Sequence, residues 1–179
     1  YLIHVMGLTR EVAKALLIDS AAQWNARTDV NRIGYGIVPI PIHEIIESPK
    51  DEIRFVMSGV ADEFETYTYQ LPVPIHEGAQ PYFARATLAY FPFCNRNNGV
   101  DYTGTEMDIH FGRVTEKDGK PCVKSIDNNK QGDDDACGLF EEKARGMYRK
   151  WDNIKHIVDK TNERPRPRKV YGPGLWGLS

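Results

Sequence analysis

Tyr82-Phe83-Ala84-Arg85-Ala86-Thr87-Leu88-Ala89-Tyr90-Phe91, closed by Pro92, is the stretch that decides the fold. Successive side chains of an extended backbone point to opposite faces. Ala84, Ala86, Leu88 and Tyr90 therefore share one face, and Arg85, Thr87 and Ala89 share the other. Pro92 stops the strand, because it has no N–H for a ladder. The same period recurs downstream in 106–111, where Met107, Ile109 and Phe111 read as inward and Glu106, Asp108 and His110 as outward. Lys117-Asp118-Gly119-Lys120 is a tight-turn signal that hands this strand to Cys122-Val123-Lys124-Ser125-Ile126. Upstream, 64–71 alternates with aromatic and β-branched residues and ends at Pro72-Val73-Pro74, which suits an edge or a strand end. Glu52-Ile53-Arg54-Phe55-Val56-Met57 reads as a further strand, closed by Ser58-Gly59. Short alternating strands separated by turn residues predict a mainly β chain, an antiparallel β-sandwich of jelly-roll type.

Helices flank the strands. Thr9 is an N-cap residue with Glu11 in the first turn behind it. Val12, Ala13, Leu16, Leu17, Ala21 and Trp24 then recur at three- and four-residue steps, predicting an N-terminal helix with a broad apolar face. Val38-Pro39-Ile40-Pro41-Ile42 must run extended, and 43–47 allows one short helical turn. Near the other end, Leu139, Phe140, Ala144, Met147, Tyr148 and Trp151 keep helical spacing. Asp152-Asn153 can recap a second short helix over Ile154 to Val158. The expected organisation is thus a leading unit, 1–48, and a sandwich domain, 49–179, with a helical insertion at about 138–160. Arg164-Pro165-Arg166-Pro167-Arg168 cannot be helical, and Val170 to Ser179 reads as a final short strand.

Composition narrows the function classes. In 179 residues, 41% hydrophobic and 27% charged residues describe a folded chain rather than a disordered one. A formal net charge of −2 gives no global attraction to nucleic acid or to an anionic membrane. No apolar run approaches the roughly 20 residues a membrane helix needs. The start also lacks the basic and apolar regions of a signal peptide. Cys94, Cys122 and Cys137 have neither disulfide-framework nor zinc-site spacing. Three reduced thiols favour, without fixing, a cytoplasmic setting.

The helix from Thr9, Ser20-Ala21 and Gly34-Tyr35-Gly36 together resemble the segment after the nucleophile helix in subtilases, the subtilisin-like serine proteases. Arg85-Ala86-Thr87-Leu88-Ala89-Tyr90 is similar to a strand of the sandwich domains appended to some bacterial members. Gly99-Val100-Asp101-Tyr102, Glu106-Met107-Asp108 and Arg149-Lys150-Trp151-Asp152 resemble later segments of those sandwich domains. The resemblance implies a non-catalytic carboxy-terminal portion of a serine endopeptidase, whose triad would lie ahead of Tyr1. It also implies a catalytic domain as partner in cis, with a partner ATPase in some members.

The residues themselves agree that no triad is present. A Ser-His-Asp hydrolase needs a serine within reach of an imidazole, an acid orienting that imidazole, and oxyanion donors. The family serine comes after Gly-Thr, yet Gly104-Thr105 is succeeded by Glu106. The family histidine precedes glycine, whereas His4, His43, His76, His110 and His156 precede Val, Glu, Glu, Phe and Ile. Ser20 sits next to Asp19 but reads as a small packing residue of the helix. No catalytic, cofactor or metal residue is assigned, and an enzyme in its own right is the least favoured reading. Asp133-Asp134-Asp135 lacks calcium-loop spacing and reads as a solvated acidic loop.

The alternative function is an independent binding module. Tyr67, Tyr69, Tyr82 and Tyr90 could make a carbohydrate platform, against the plainer reading of strand packing. Residues 141–170 carry ten Lys/Arg against five Asp/Glu, a local +5, and Arg164, Arg166, Arg168 and Lys169 could hold the phosphates of a nucleic acid. A solvated crossing is the simpler reading there, since no base-stacking module accompanies it. The apolar helix face, if uncovered, also makes self-association an expectation.

Overall fold

The computed structural model describes residues 1–21, 36–48, 50, 52–63, 65–72, 83–101, 107, 109–125, 153–160 and 176–179. Within them the chain is mainly antiparallel strand, with few helices.

Helix α1 spans Arg10–Ser20 and starts where expected: Thr9 is extended, and its hydroxyl accepts from the Val12 N–H at 3.3 Å. The turn before it closes at Gly7 (φ +71°), with Leu8 N–H bonded to the Leu2 carbonyl at 3.1 Å. That left-handed conformation costs glycine nothing and a Cβ-bearing residue roughly 1–2 kcal/mol. Helix α2, Ile42–Ile46, is a single turn set off by Pro41. Ala13, Leu2 and Ile45 form a small buried cluster, against which Leu8, Leu16, Ile42 and Ile46 pack. The apolar face of α1 is narrower than its spacing predicts, since Leu17 is exposed. Trp24 lies outside the described residues.

Among the described residues six strands form two antiparallel sheets. The larger has the order β1 (Tyr69–Leu71), β6 (Trp176–Leu178), β3 (Phe111–Lys117), β4 (Lys120–Ser125). The β3–β4 hairpin turns at Asp118 (φ 54°) and Gly119 (φ 74°). Positive φ at both central residues is the turn whose twist matches two paired strands. Ahead of β3, His110 exchanges both backbone hydrogen bonds with Ser179, at 2.6 and 2.8 Å. Ile109 is buried and His110 exposed, so the inward and outward assignments hold there although the strand proper begins at Phe111. Trp176 is buried against Phe111, with ring centroids 5.5 Å apart.

The smaller sheet pairs β2 (Phe83–Ala89) with β5 (Ile154–Lys160), from Phe83↔Lys160 to Ala89↔Ile154. This corrects the expected helical insertion: its 154–160 portion is strand, and 138–152 lie outside the described residues. Ile154, Ile157 and Val158 satisfy helical spacing, but β-branched residues suit a pleated surface, and β2 supplies a full-length partner. Two further strand expectations shorten. Of 64–71 only Tyr69–Leu71 pairs among the described residues. Residues 52–57 join no sheet among the described residues, and Ile53, Phe55, Val56 and Met57 are all exposed. Arg54 explains part of this, because it is engaged with α2 and its turn. Its Nη1 donates to the Glu44 and Ile45 carbonyls at 3.0 Å each, and its backbone N–H bonds Ser48 Oγ at 3.1 Å.

Candidate functional site

Helix α1 lies against β2, and the polar residues of this joint converge on one hydroxyl. Thr87 and Arg85 stand on the same face of β2, as alternation requires, and cross-strand pairing sets His156 of β5 directly beside Thr87. Asp19, in the last turn of α1, reaches both β2 residues. Thr87 Oγ1 donates to Asp19 Oδ1 at 3.2 Å and lies 2.8 Å from His156 Nδ1. Arg85 Nη2 stands 3.8 Å from Asp19 Oδ2 and 3.7 Å from Glu52 Oε2, and Arg54 Nη2 is 3.9 Å from the same Glu52 oxygen. Arg85 also lies over the Phe83 ring, 5.3 Å from its centroid. A second tie runs beside this cluster, from Lys14 Nζ to Asn153 Oδ1 at 2.9 Å.

Proton counting orders the cluster. A hydroxyl has one proton, and here it goes to the Asp19 carboxylate. The short contact to His156 runs in the direction that the ring tautomer sets, and with the hydroxyl proton on Asp19 it pairs with the Nδ1-protonated form. Burial, the largest influence, holds the His156 pKa below the usual histidine value; Asp19 pulls it up, and Arg85 pushes it down further. At neutral pH the ring is then the neutral form.

A hydroxyl 2.8 Å from an imidazole resembles a nucleophile and its base, but the order of partners is wrong for one. In a hydrolytic triad the acid orients the far side of the imidazole, and the imidazole accepts the hydroxyl proton. In this joint the acid contacts the hydroxyl itself. Thr87 is accordingly a relay in a structural tether rather than an activated nucleophile. The three ion-pair distances, 3.7–3.9 Å, at partly exposed groups contribute about 0–1 kcal/mol apiece, so the hydrogen-bond chain rather than the charges sets the geometry.

The residues singled out from sequence are mostly elsewhere. Ser20 is buried and its hydroxyl donates to the Leu17 carbonyl at 3.0 Å, the back-bond of a packing residue. Tyr67 and Tyr69 are exposed whereas Tyr90 is buried, so Tyr90 does not belong to an exposed aromatic platform. Tyr82, Asp133–Asp135, Cys137 and the Arg164–Lys169 arm lie outside the described residues. Cys94 and Cys122 are exposed free thiols. Among the described residues no three His, Cys, Asp or Glu side chains stand close enough to hold a metal ion. No helix among them is long and apolar enough to cross a membrane. Sequence reasoning misses the tether because helical spacing claims His156. The usable signal is the Arg85/Thr87 face of β2, two polar residues on a face that a packed sheet must satisfy.

Comparison with known proteins gives no match among family models, curated proteins or solved structures. What this chain can do is therefore argued from its own geometry. Near the first residues, an open apolar groove of about 340 Å³ runs between Leu2, Ile3, Ala13, Leu17, Ile42 and Ile45. Tyr1 also lines it, and Tyr1, Val5, Ile37 and Ile40 expose large apolar side chains, Ile40 almost completely (97%). A surface of this composition is a docking surface or an aggregation hazard in a free chain.

Proposed function

We propose that this chain is a non-catalytic carboxy-terminal portion of a subtilisin-like serine endopeptidase, stabilising the protease domain and positioning substrate or a partner. In this reading residues 1–48 continue the catalytic domain, and residues 49–179 form the appended domain, a jelly-roll-like sandwich once its sheets are complete. The observation that carries the reading is the open apolar groove lined by Tyr1, Leu2, Ile3, Ala13, Leu17, Ile42 and Ile45, with further exposed apolar side chains at Val5, Met6, Ile37, Val38 and Ile40. This surface belongs to the very segment whose sequence resembles the end of a subtilase domain, and a catalytic domain in cis would bury it. Covering such side chains contributes about 25 cal/mol per Å² of apolar area. The contact of Asp19 with the Thr87 hydroxyl itself also supports a role without chemistry of its own.

The test begins with the reading frame upstream of the Tyr1 codon. Aspartate, histidine and Gly-Thr-Ser segments in that order are expected. With them in hand, the longer protein should hydrolyse casein and be blocked by a serine-directed inhibitor, while the 179-residue chain should hydrolyse none. A frame that lacks the three segments, or casein hydrolysis by this chain alone, overturns the reading.

A further inference from the structure

We propose that the slot between β1 and β3 is a strand-exchange site, which residues 176–179 of a second copy of this chain fill in place of the chain's own. The proposal rests on the register and packing of the larger sheet and stands whether or not the chain belongs to a protease.

Strand β6 follows β5 in chain order but lies inside the other sheet, between β1 and β3. Among the described residues it is the strand that joins them, since β1 pairs with β6 alone and β3 has β4 on its far side. Ser179 exchanges both backbone bonds with His110, at 2.6 and 2.8 Å. Alternation then turns the N–H and C=O of Gly177 toward β3, and those of Trp176 and Leu178 toward β1. Without β6, the facing rows of β1 and β3 would lack these partners, and any extended segment could supply them.

Side chains decide which segment fits. Opposite Gly112 and Gln70 the entering residue has to be glycine, because a Cβ would lie 2.7 Å from Val114 Cγ2 and 2.8 Å from the Tyr69 carbonyl oxygen. The residue before it packs on the Phe111 ring, where Trp176 is buried. Two residues after the glycine, Ser179 Oγ meets Thr68 Oγ1 at 3.2 Å. The slot therefore selects aromatic-Gly-x-Ser, and a second copy carries that sequence in Trp176-Gly177-Leu178-Ser179. Exchange remakes every contact of the closed form, which is the low-cost route to a dimer. Reach does not forbid it: residues 161–175 join β5 to β6 in sequence, a length that extends to at most about 50 Å.

Concentration decides between the two forms, because their contacts are the same. The chain's own segment competes at the effective concentration that its linker gives it, about 1 mM for a short flexible one. Closed monomers therefore dominate at micromolar concentrations. Exchange sets in as the chain, or a free copy of the segment, approaches a millimolar.

The test uses the full chain and a peptide of residues 170–179 with an isotope-labelled indole. Titrated with wild-type chain, the peptide indole should move by NMR to its buried position, half complete near 1 mM peptide, about the linker's effective concentration. Gly177→Val in the full chain unseats the chain's own segment and leaves the slot intact, so half-completion should come at least about tenfold lower. The same peptide carrying Gly177→Val should bind neither chain. Light scattering of wild-type chain alone should show a dimer growing in as concentration nears about 1 mM, dispersed by excess peptide. No indole shift up to about 5 mM peptide, equal binding of the Gly177→Val peptide, or a monomer throughout overturns strand exchange. So does a dimer that persists in excess peptide, which would place the contact on another surface, such as the apolar groove. If the Gly177→Val chain fails to fold, the wild-type titration and the scattering still decide it.

Discussion

Gly177→Ala offers a measurable trial of the larger sheet. Gly177 is the middle residue of β6, paired with Gln70 of β1 on one side and Gly112 of β3 on the other. A Cβ there would lie 2.7 Å from Val114 Cγ2 and 2.8 Å from the Tyr69 carbonyl oxygen, with Val123 Cγ2 at 3.5 Å. The two shortest separations are below what real contacts allow. A valine methyl can yield by rotating. The Tyr69 oxygen is backbone, and it moves only if β1 moves away from β6.

Overpacking of this kind costs about 1–3 kcal/mol. Against it stands the restriction of the unfolded chain when glycine becomes alanine, about 0.4–1 kcal/mol in favour of the folded state. The net expectation is a loss of about 1–2 kcal/mol. With a urea dependence of about 1–3 kcal/mol per molar for a small protein, the unfolding midpoint should fall by roughly 0.3–2 M at unchanged slope. Chemical denaturation monitored by Trp fluorescence measures it, since Trp176 is the neighbouring residue and is buried. Gly177→Ala/Val114→Ala separates the two contacts, because it relieves the methyl clash and leaves the carbonyl clash. An unchanged or raised midpoint for Gly177→Ala would refute the β1–β6–β3 arrangement, which has no room for that methyl group.

Other perturbations read other parts of the chain. Thr9→Ala removes the acceptor for the Val12 N–H and should cost about 1 kcal/mol, seen as faster amide exchange in the first turn of α1. Arg54→Met removes two charge-assisted bonds onto the carbonyls of α2 and should cost about 1–2 kcal/mol in a urea titration. The cost stays at that level because Arg54 Nε, buried without a partner among the described residues, disappears as well. Asp19→Asn should lower the His156 titration midpoint and Arg85→Gln should raise it, by NMR on the same ring, because the carboxylate favours the imidazolium and the guanidinium opposes it.

Legibility in the sequence tracks locality. Strand β2 is readable almost to its ends, because alternation from Phe83 to Tyr90 and the stop at Pro92 are written in consecutive residues. The β3–β4 hairpin is readable from Asp118-Gly119 alone, since few dipeptides tolerate two positive φ values. Strand β5 is not. Ile154, Ile157 and Val158 satisfy i, i+3, i+4 as readily as they satisfy a strand, and the arbiter between the two is β2, remote in sequence. Residues 52–57 fail in the opposite way, with a strand pattern but no sheet partner among the described residues. Losing β5 also loses the tether. Asp19 and Thr87 are each visible, but only the cross-strand pair Thr87↔His156 joins them.

That dependence explains why a polar joint suits this position. The buried apolar side chains of the described residues are few: Leu2, Ala13, Ile45, Tyr90, Ile109 and Trp176. Apolar contact is non-directional, so a set this small constrains poorly where a helix sits along a two-stranded ribbon. Hydrogen bonds supply the missing direction. A slip of β5 by one residue would turn His156 to the opposite face of the ribbon and leave the Thr87 oxygen without that donor. A rotation of α1 by one residue, about 100°, would carry Asp19 away from both Thr87 and Arg85. Each error breaks at least one bond at a partly buried group, where an unmet donor or acceptor costs about 1–3 kcal/mol, more than an exposed ion pair returns. The tether thus acts more on specificity than on stability. It makes one register of β5 and one rotation of α1 better than their neighbours.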